Sequence, residues 1–201
     1  MVSAPSSTEQ EIQATPTSVK LIVAGGFGVG KTTFVGSVSD IKPLRTEAAI
    51  TDQSFGIDDT SLVEQKTTTT VAMDFGRIGI TDDLVLYLFG TPGQDRFGFM
   101  WDDLVDGALG AVVLVDTRRL DDCYYAVDYF EKRSIPFVVG LNVFDHNHNP
   151  PLDTVRYALD ISEGVPLLWC DARERESVKS TLLTLFDHVI AAMTAEAAAA
   201  R

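Results

Sequence analysis

At 201 residues the chain is one domain's worth of sequence, too short for two well-developed cores. Apolar residues make up 45% and charged residues 22%, which excludes global disorder and supplies a sizeable core. Sixteen Lys and Arg against 29 Asp and Glu leave a net charge of −13. Such a surface repels phosphate backbones and anionic lipid, so general nucleic-acid binding and polybasic membrane docking are excluded, and any polyanionic ligand must be held by a local device.

The first 18 residues, MVSAPSSTEQEIQATPTS, are rich in Ser, Thr, Pro and Gln and lack the basic and apolar regions of a signal peptide. They are expected to be a disordered tail, with one domain over 19–192 and an Ala-rich tail over 193–201. No run reaches the roughly 18 apolar residues of a membrane span, and no lipidation motif is present. The expectation is a cytoplasmic protein without its own membrane anchor, recruited to a membrane by partners where it reaches one. Cys123 and Cys170 stand far apart and read as buried thiols of a reducing compartment.

Strand-length apolar runs follow in chain order at Val19–Ala24, Leu84–Phe89, Ala111–Asp116, Pro136–Leu141 and Val165–Cys170, several with almost no polar interruption, as strands covered on both faces require. Residues 67–80 are expected to pair with the second run as a hairpin around Thr81–Asp83. Between the runs, Cys123, Ala126, Val127 and Phe130 take helical spacing, as do Val178, Leu182, Leu185, Phe186 and Val189. Alternating strands and helices predict an α/β fold of the P-loop type, a mostly parallel sheet of about six strands with helices on both faces.

Directly after the first run comes Gly25-Gly26-Phe27-Gly28-Val29-Gly30-Lys31-Thr32, matching GxxxxGK[ST] between a strand and a helix predicted from Gly30 through Ser39. This is the local device that the charge demands. Glycines such as Gly25, Gly28 and Gly30, with Val29 among them, let backbone amides point inward. The helix start at Lys31, Thr32 and Thr33 adds positive potential, and Lys31 reaches the outer phosphates. The Thr32 hydroxyl suits a Mg2+ ion between the β and γ phosphates. The motif specifies a nucleoside triphosphate but not its base.

After the Pro136–Leu141 run stands Asn142-Val143-Phe144-Asp145, at the carboxyl edge of the sheet where ligands of such folds sit. A carboxylate only accepts, and guanine offers two parallel donors that adenine lacks, so Asp145 is the candidate base reader and Asn142 a loop brace. At the end of the last run, Cys170-Asp171-Ala172-Arg173 places a small residue whose amide suits the guanine carbonyl.

The ordered set GGFGVGKT, a Thr-rich segment, TPGQD, NVFD and CDA resembles the Ras-like small GTPases over about residues 19–192, most closely the bacterial branch of the gliding-polarity GTPase and the GTPases of actinobacterial conservon operons. The resemblance implies that Gly93 offers its amide to the γ-phosphate, that Gln94 orients the attacking water, and that a switch threonine closes over Mg2+. Thr67 to Thr70 are the candidates, Thr70 favoured because VAMDF follows. Residues 41–66, without strong periodicity, are the expected mobile switch. The resemblance also implies GTP/GDP as ligand and a roadblock-type regulator or activator as partner.

Three positions depart from the family pattern. The carboxylate expected at the start of the TPGQ motif is Gly90, and Asp74 is the candidate to reach the same space. The lysine expected after Asn142 is Val143. Thr69 stands where bacterial relatives can carry an arginine, which predicts slow hydrolysis accelerated by a partner, with Arg45 and Arg96 as weaker candidates to swing in. The resulting expectation is a GTP-hydrolysing switch in signal transduction. The rivals are a GTP-binding scaffold with negligible hydrolysis and a small-metabolite kinase, for which no substrate pocket or lid arginines are evident. Part of the aromatic run 96–101 is expected to pack in the core, while Phe97, Phe99 and Trp101 alternate so that at least one is a candidate partner surface; Tyr125 and Tyr129 hint at a docking patch, and the close pair His146 and His148 lacks a third metal ligand.

Overall fold

A computed structural model describes residues 15–50, 69–93, 98, 100–145 and 150–199, with 45–50 and 69–72 described as backbone only. The strands are β1 (Thr17–Ala24), β2 (Leu44–Ile50), β3 (Thr69–Thr81), β4 (Leu84–Gly90), β5 (Gly110–Val115), β6 (Phe137–Asn142) and β7 (Leu167–Cys170). The helices are α1 (Lys31–Val38), α2 (Trp101–Val105), α3 (Tyr124–Lys132), α4 (Leu152–Ala158) and α5 (Arg175–Ala199). One sheet runs in the order β2-β3-β4-β1-β5-β6-β7, parallel from β4 to β7 and antiparallel where β3 meets β2 and β4.

The expected mostly parallel sheet with helices on both faces is present, as is the hairpin joining β3 to β4 across Asp82 and Asp83. The seventh strand corrects one expectation. Residues 44–50, read as the start of an irregular switch, pair with β3 from Leu44 opposite Phe75 to Ile50 opposite Thr69. Leu44, Ala48 and Ile50 alternate with Arg45 and Glu47 at a strand's period of two, and pairing satisfies the amides that β3 would otherwise leave open at the sheet edge. Residues 51–66 lie outside the described residues.

Alternation along the central strands builds two cores. Ile22, Ala24, Val113, Val139 and Leu141 face α3 and α4, where Cys123, Ala126, Val127 and Phe130 are buried. Leu21, Val23, Val112, Leu114 and Val138 face α1 and α5, where Val178, Leu182, Leu185 and Val189 are buried. Both helical stripes face inward as their spacing predicts. Both cysteines are buried and unpaired, and burial pushes the Cys123 thiol up to about 12. By length and composition alone, α5 is long and apolar enough to cross a membrane, which the run-length reading passed over, but its inner face is part of this core.

The aromatic run contributes to the core as expected, and the reading of the tyrosine pair is corrected. Trp101 faces inward, 5.0 Å from the Tyr129 ring and 5.1 Å from that of Tyr125. Tyr129 is buried and its hydroxyl donates to Asp102 over 2.7 Å, so only Tyr125 of that pair is exposed. Phe97 and Phe99 lie outside the described residues.

Candidate functional site

The turn from β1 into α1 forms the cradle expected to hold phosphate, and its conformation depends on glycine. Gly30 has φ +107°, and a Cβ there would stand 2.5 Å from Nδ2 of Asn142, so both backbone and space exclude a side chain. The first turn of α1 carries no acidic residue, leaving its positive end open toward an anion. Lys31 is buried, its Nζ donating to the carbonyls of Gly25 and Gly26 over 2.7 Å each. Burial pulls its amine down to about 8, against the opposing charge of Asp74. A Cβ on Gly93 would lie 2.7 Å from Lys31 Nζ and 2.9 Å from Phe27 Cα, so the residue after β4 closes directly on the cradle.

Oxygen ligands collect on one side of the cleft. Thr32 Oγ1 donates to Asp74 Oδ2 over 2.6 Å. Asp74 lies on β3 beside Gly90 of β4, where an added Cβ would meet its Cβ at 3.1 Å and its Oδ2 at 3.3 Å. The Asp74 carboxylate therefore fills the space that a side chain at position 90 would take. Buried Thr91 presents a hydroxyl with no hydrogen-bond partner among the described residues. Thr32, Asp74 and Thr91 line one cleft of about 490 Å³ with Gly28, Gly30, Lys31, Thr33 and Gly93. A hydroxyl and a carboxylate in contact, with a third oxygen unpartnered nearby, fit a hard cation such as Mg2+. No group of three or more His, Cys, Asp or Glu side chains suits a metal among the described residues. Thr70 lies on β3 opposite Ala49; Thr67, Thr68 and Gln94 fall outside the described residues, as do His146 and His148.

The second end of the site is fastened to the first by Asn142. Its Nδ2 donates to the Val29 carbonyl over 2.8 Å, and its Oδ1 accepts from the Ala172 amide over 3.0 Å. The buried amide thus ties the cradle to both loops expected to hold the base. The Val143 amide donates to the Cys170 carbonyl, continuing that connection. Asp145 is exposed, and Arg173 Nη1 donates to both of its carboxylate oxygens over 2.9 Å. The same guanidinium holds Asp171 through Nε and Nη2, at 2.9 and 2.8 Å, keeping the Asp171 carboxyl below its usual range. Beside this loop, Arg118 lies 4.0 Å from the Phe144 ring centre and pairs with buried Asp116.

Sequence reasoning missed Thr91, Arg173 as a clamp, and Arg119, whose Nη2 donates to the Phe27 carbonyl over 2.9 Å. Thr91 lay within the quoted TPGQD run. The partners of both arginines become visible only when strand order brings separate loops together.

Comparison with known proteins gives three findings. The family profile ATP_bind_1, described as "Conserved hypothetical ATP binding protein", matches residues 23–192. The uncharacterized protein MJ1339 of Methanocaldococcus jannaschii is 31% identical over 129 residues, covering 63% of this chain and 71% of that protein. The solved G-domain of FeoB from Methanococcus jannaschii superposes with a TM-score of 0.55 at 15% identity, covering 86% of this chain and 97% of that one. At that identity the superposition establishes the shared fold, a mostly parallel sheet flanked by helices.

Proposed function

The chain belongs to the ATP_bind_1 family of conserved hypothetical ATP binding proteins, and we propose that within it this protein is a GTP-binding molecular switch that slowly hydrolyses GTP to GDP. The observation that carries the reading is Asn142, buried between the Val29 carbonyl and the Ala172 amide. It holds a triphosphate cradle and a carboxylate-bearing base loop in one fixed arrangement. Asp145 then accepts from the two donors of guanine, and Ala172 offers its amide to the guanine carbonyl. Because Arg173 engages both Asp145 oxygens, the base must displace or share that contact.

At the phosphate end, Lys31 and the cradle amides neutralise the triphosphate, Gly93 offers its amide to the γ-phosphate, and Gln94 orients water. Thr32 and Asp74 would hold Mg2+, joined by Thr70 once the start of β3 leaves its pairing with Ala49, and the ion would offset charge on the outer phosphates. Asp74 beside Gly90 supports hydrolysis over a purely scaffolding role, because the carboxylate missing from one strand stands on the next. The protein acts in the cytoplasm, and its output is the difference between two nucleotide-dependent surfaces, read by a partner of the roadblock type.

The family description favours a second reading, ATP as ligand. Competition of GTP, ATP and XTP for wild type and Asp145→Asn separates the two. Guanine reading predicts that GTP outcompetes ATP on wild type and that the variant shifts preference to XTP, since Asn turns a donor toward xanthine's extra carbonyl. Equal competition by ATP against wild type rejects the guanine assignment.

A further inference from the structure

We propose that Arg119 is a catalytic residue of the phosphate site, the arginine supplied in cis that offsets charge on the γ-phosphoryl group; this rests on the hydrolytic reading above. The inference starts from the connection between β5 and α3, which packs on the outside of the cradle. A Cβ on Gly26 would lie 2.5 Å from Asp122 Cβ and 3.1 Å from the Asp122 carbonyl, so Asp122 packs directly on the bare Gly26 backbone.

From this wall Arg119 reaches over the cradle. Its Nη2 donates to the Phe27 carbonyl over 2.9 Å and lies 3.7 Å from a Cβ placed on Gly28. The Phe27 backbone is also what Gly93 closes on, and Gly93 in turn meets Lys31. One short stretch of the cradle is therefore met by Gly93, which itself meets Lys31, and by the Arg119 guanidinium.

The guanidinium is aimed but not locked. Asp122 lies 3.3 Å from Nη1, and buried Asp116, already paired with Arg118, lies 3.7 Å from Nη2. The Arg119 side chain stays 48% exposed. Arginine has five N–H donors, and the neutral Phe27 carbonyl is a weaker partner than a phosphate oxygen, since charge-assisted hydrogen bonds are roughly twice as strong. A bound triphosphate draws the guanidinium from the carbonyl to the γ-phosphoryl rim.

In the reaction the water oxygen bonds to the γ-phosphorus as the bond to the β–γ bridging oxygen breaks. The products are the nucleoside diphosphate and inorganic phosphate, and the water proton passes to phosphate oxygen. Arg119 exchanges no atom or electron; its N–H groups stabilise the oxygens on which negative charge grows. An arginine is thus present in cis although Thr69 stands where relatives can carry one.

The test is single-turnover GTP hydrolysis by the full chain, wild type, Arg119→Ala and Arg119→Lys, with GTP and GDP dissociation constants measured in parallel. Arg119→Ala is expected to lower the rate by about 100-fold or more, with GTP and GDP affinities within about threefold of wild type. Arg119→Lys is expected to stay slow, and added guanidinium ion is expected to accelerate Arg119→Ala but not wild type. An unchanged rate overturns the proposal. So does an affinity loss as large as the rate loss, or a Lys variant at wild-type rate, because either makes Arg119 a tether of Phe27. A wild type that binds GTP without hydrolysing it rejects the hydrolytic reading itself, a result separate from any Arg119 comparison.

Discussion

Thr32, at the start of α1, donates its hydroxyl to the carboxylate of Asp74, on β3, over 2.6 Å, although 42 positions separate them in the chain. Asp74 in turn lies against Gly90. The acidic group next to the cradle thus stands on β3 and fills the space beside Gly90 of β4.

That relationship predicts a relocation experiment. Asp74→Ala should raise the Mg2+ concentration needed for tight GTP binding roughly tenfold or more, the usual scale for losing a group that orients metal ligands. Gly90→Asp alone should destabilise the fold, because its Cβ arrives 3.1 Å from that of Asp74 and adds a second carboxylate. Asp74→Ala combined with Gly90→Asp should recover the Mg2+ requirement. Titration of Mg2+ against binding of a fluorescent GTP analogue reads all three; an unchanged requirement in Asp74→Ala rejects the assignment.

Asn142→Ala should cost about 3 kcal/mol of stability, since it leaves the Ala172 amide and the Val29 carbonyl without their buried partner at about 1–3 kcal/mol each. Asn142→Asp keeps an acceptor for the Ala172 amide but sets a carboxylate against the Val29 carbonyl, and should cost more. Urea denaturation without nucleotide measures the stability change. A cost below about 0.5 kcal/mol for both variants would contradict the bridging role.

Lys31 predicts opposite pH trends for folding and for ligand binding. Its amine falls from 10.5 to about 8 on folding, so between those values the unfolded chain holds more protons. By linkage, this group's contribution makes the ligand-free protein more stable as pH rises through that window. Triphosphate binding needs the charged amine and should weaken as pH rises past about 8. Lys31→Met should flatten both trends, and calorimetry with denaturation from about pH 7 to about pH 9 compares it with wild type.

Gly93→Ala should weaken GTP binding roughly tenfold while leaving GDP binding nearly unchanged. The added Cβ meets the Gly26 carbonyl and Phe27 Cα at 2.9 Å, backbone atoms that cannot step aside, so the segment is lifted from the outer phosphate. The ratio of GTP to GDP dissociation constants, obtained by competition, is the readout. An equal loss for both nucleotides would place Gly93 away from the γ-phosphate.

Much of the fold was legible because its signals are local. Val19 to Ala24 reads as a doubly covered strand, and Cys123, Ala126, Val127 and Phe130 read as one helix face, with all four buried as expected. Strand β2 has little local signal, because only Leu44, Ala48 and Ile50 mark its period, and what makes it a strand is the open edge of β3, a long-range cause. Helical spacing alone turns Tyr129 outward because its position lies off the main stripe, but α2 brings Trp101 and Asp102 to cover it.

By itself the sequence determined the glycine-rich turn from β1 into α1 and the alternation of strand and helix, because eight consecutive residues and periods of two or 3.6 need no distant partner. The tertiary structure alone decided which side chains stand around that cradle. Asn142 meets Val29 across 113 positions and Arg119 meets Phe27 across 92, with Asp74 filling the space beside Gly90. Those contacts depend on β1 lying between β4 and β5, with β3 and β6 next outward. The physical reason is that a sheet brings the ends of neighbouring strands to one edge whatever their distance along the chain, so the chemistry of the site follows strand order.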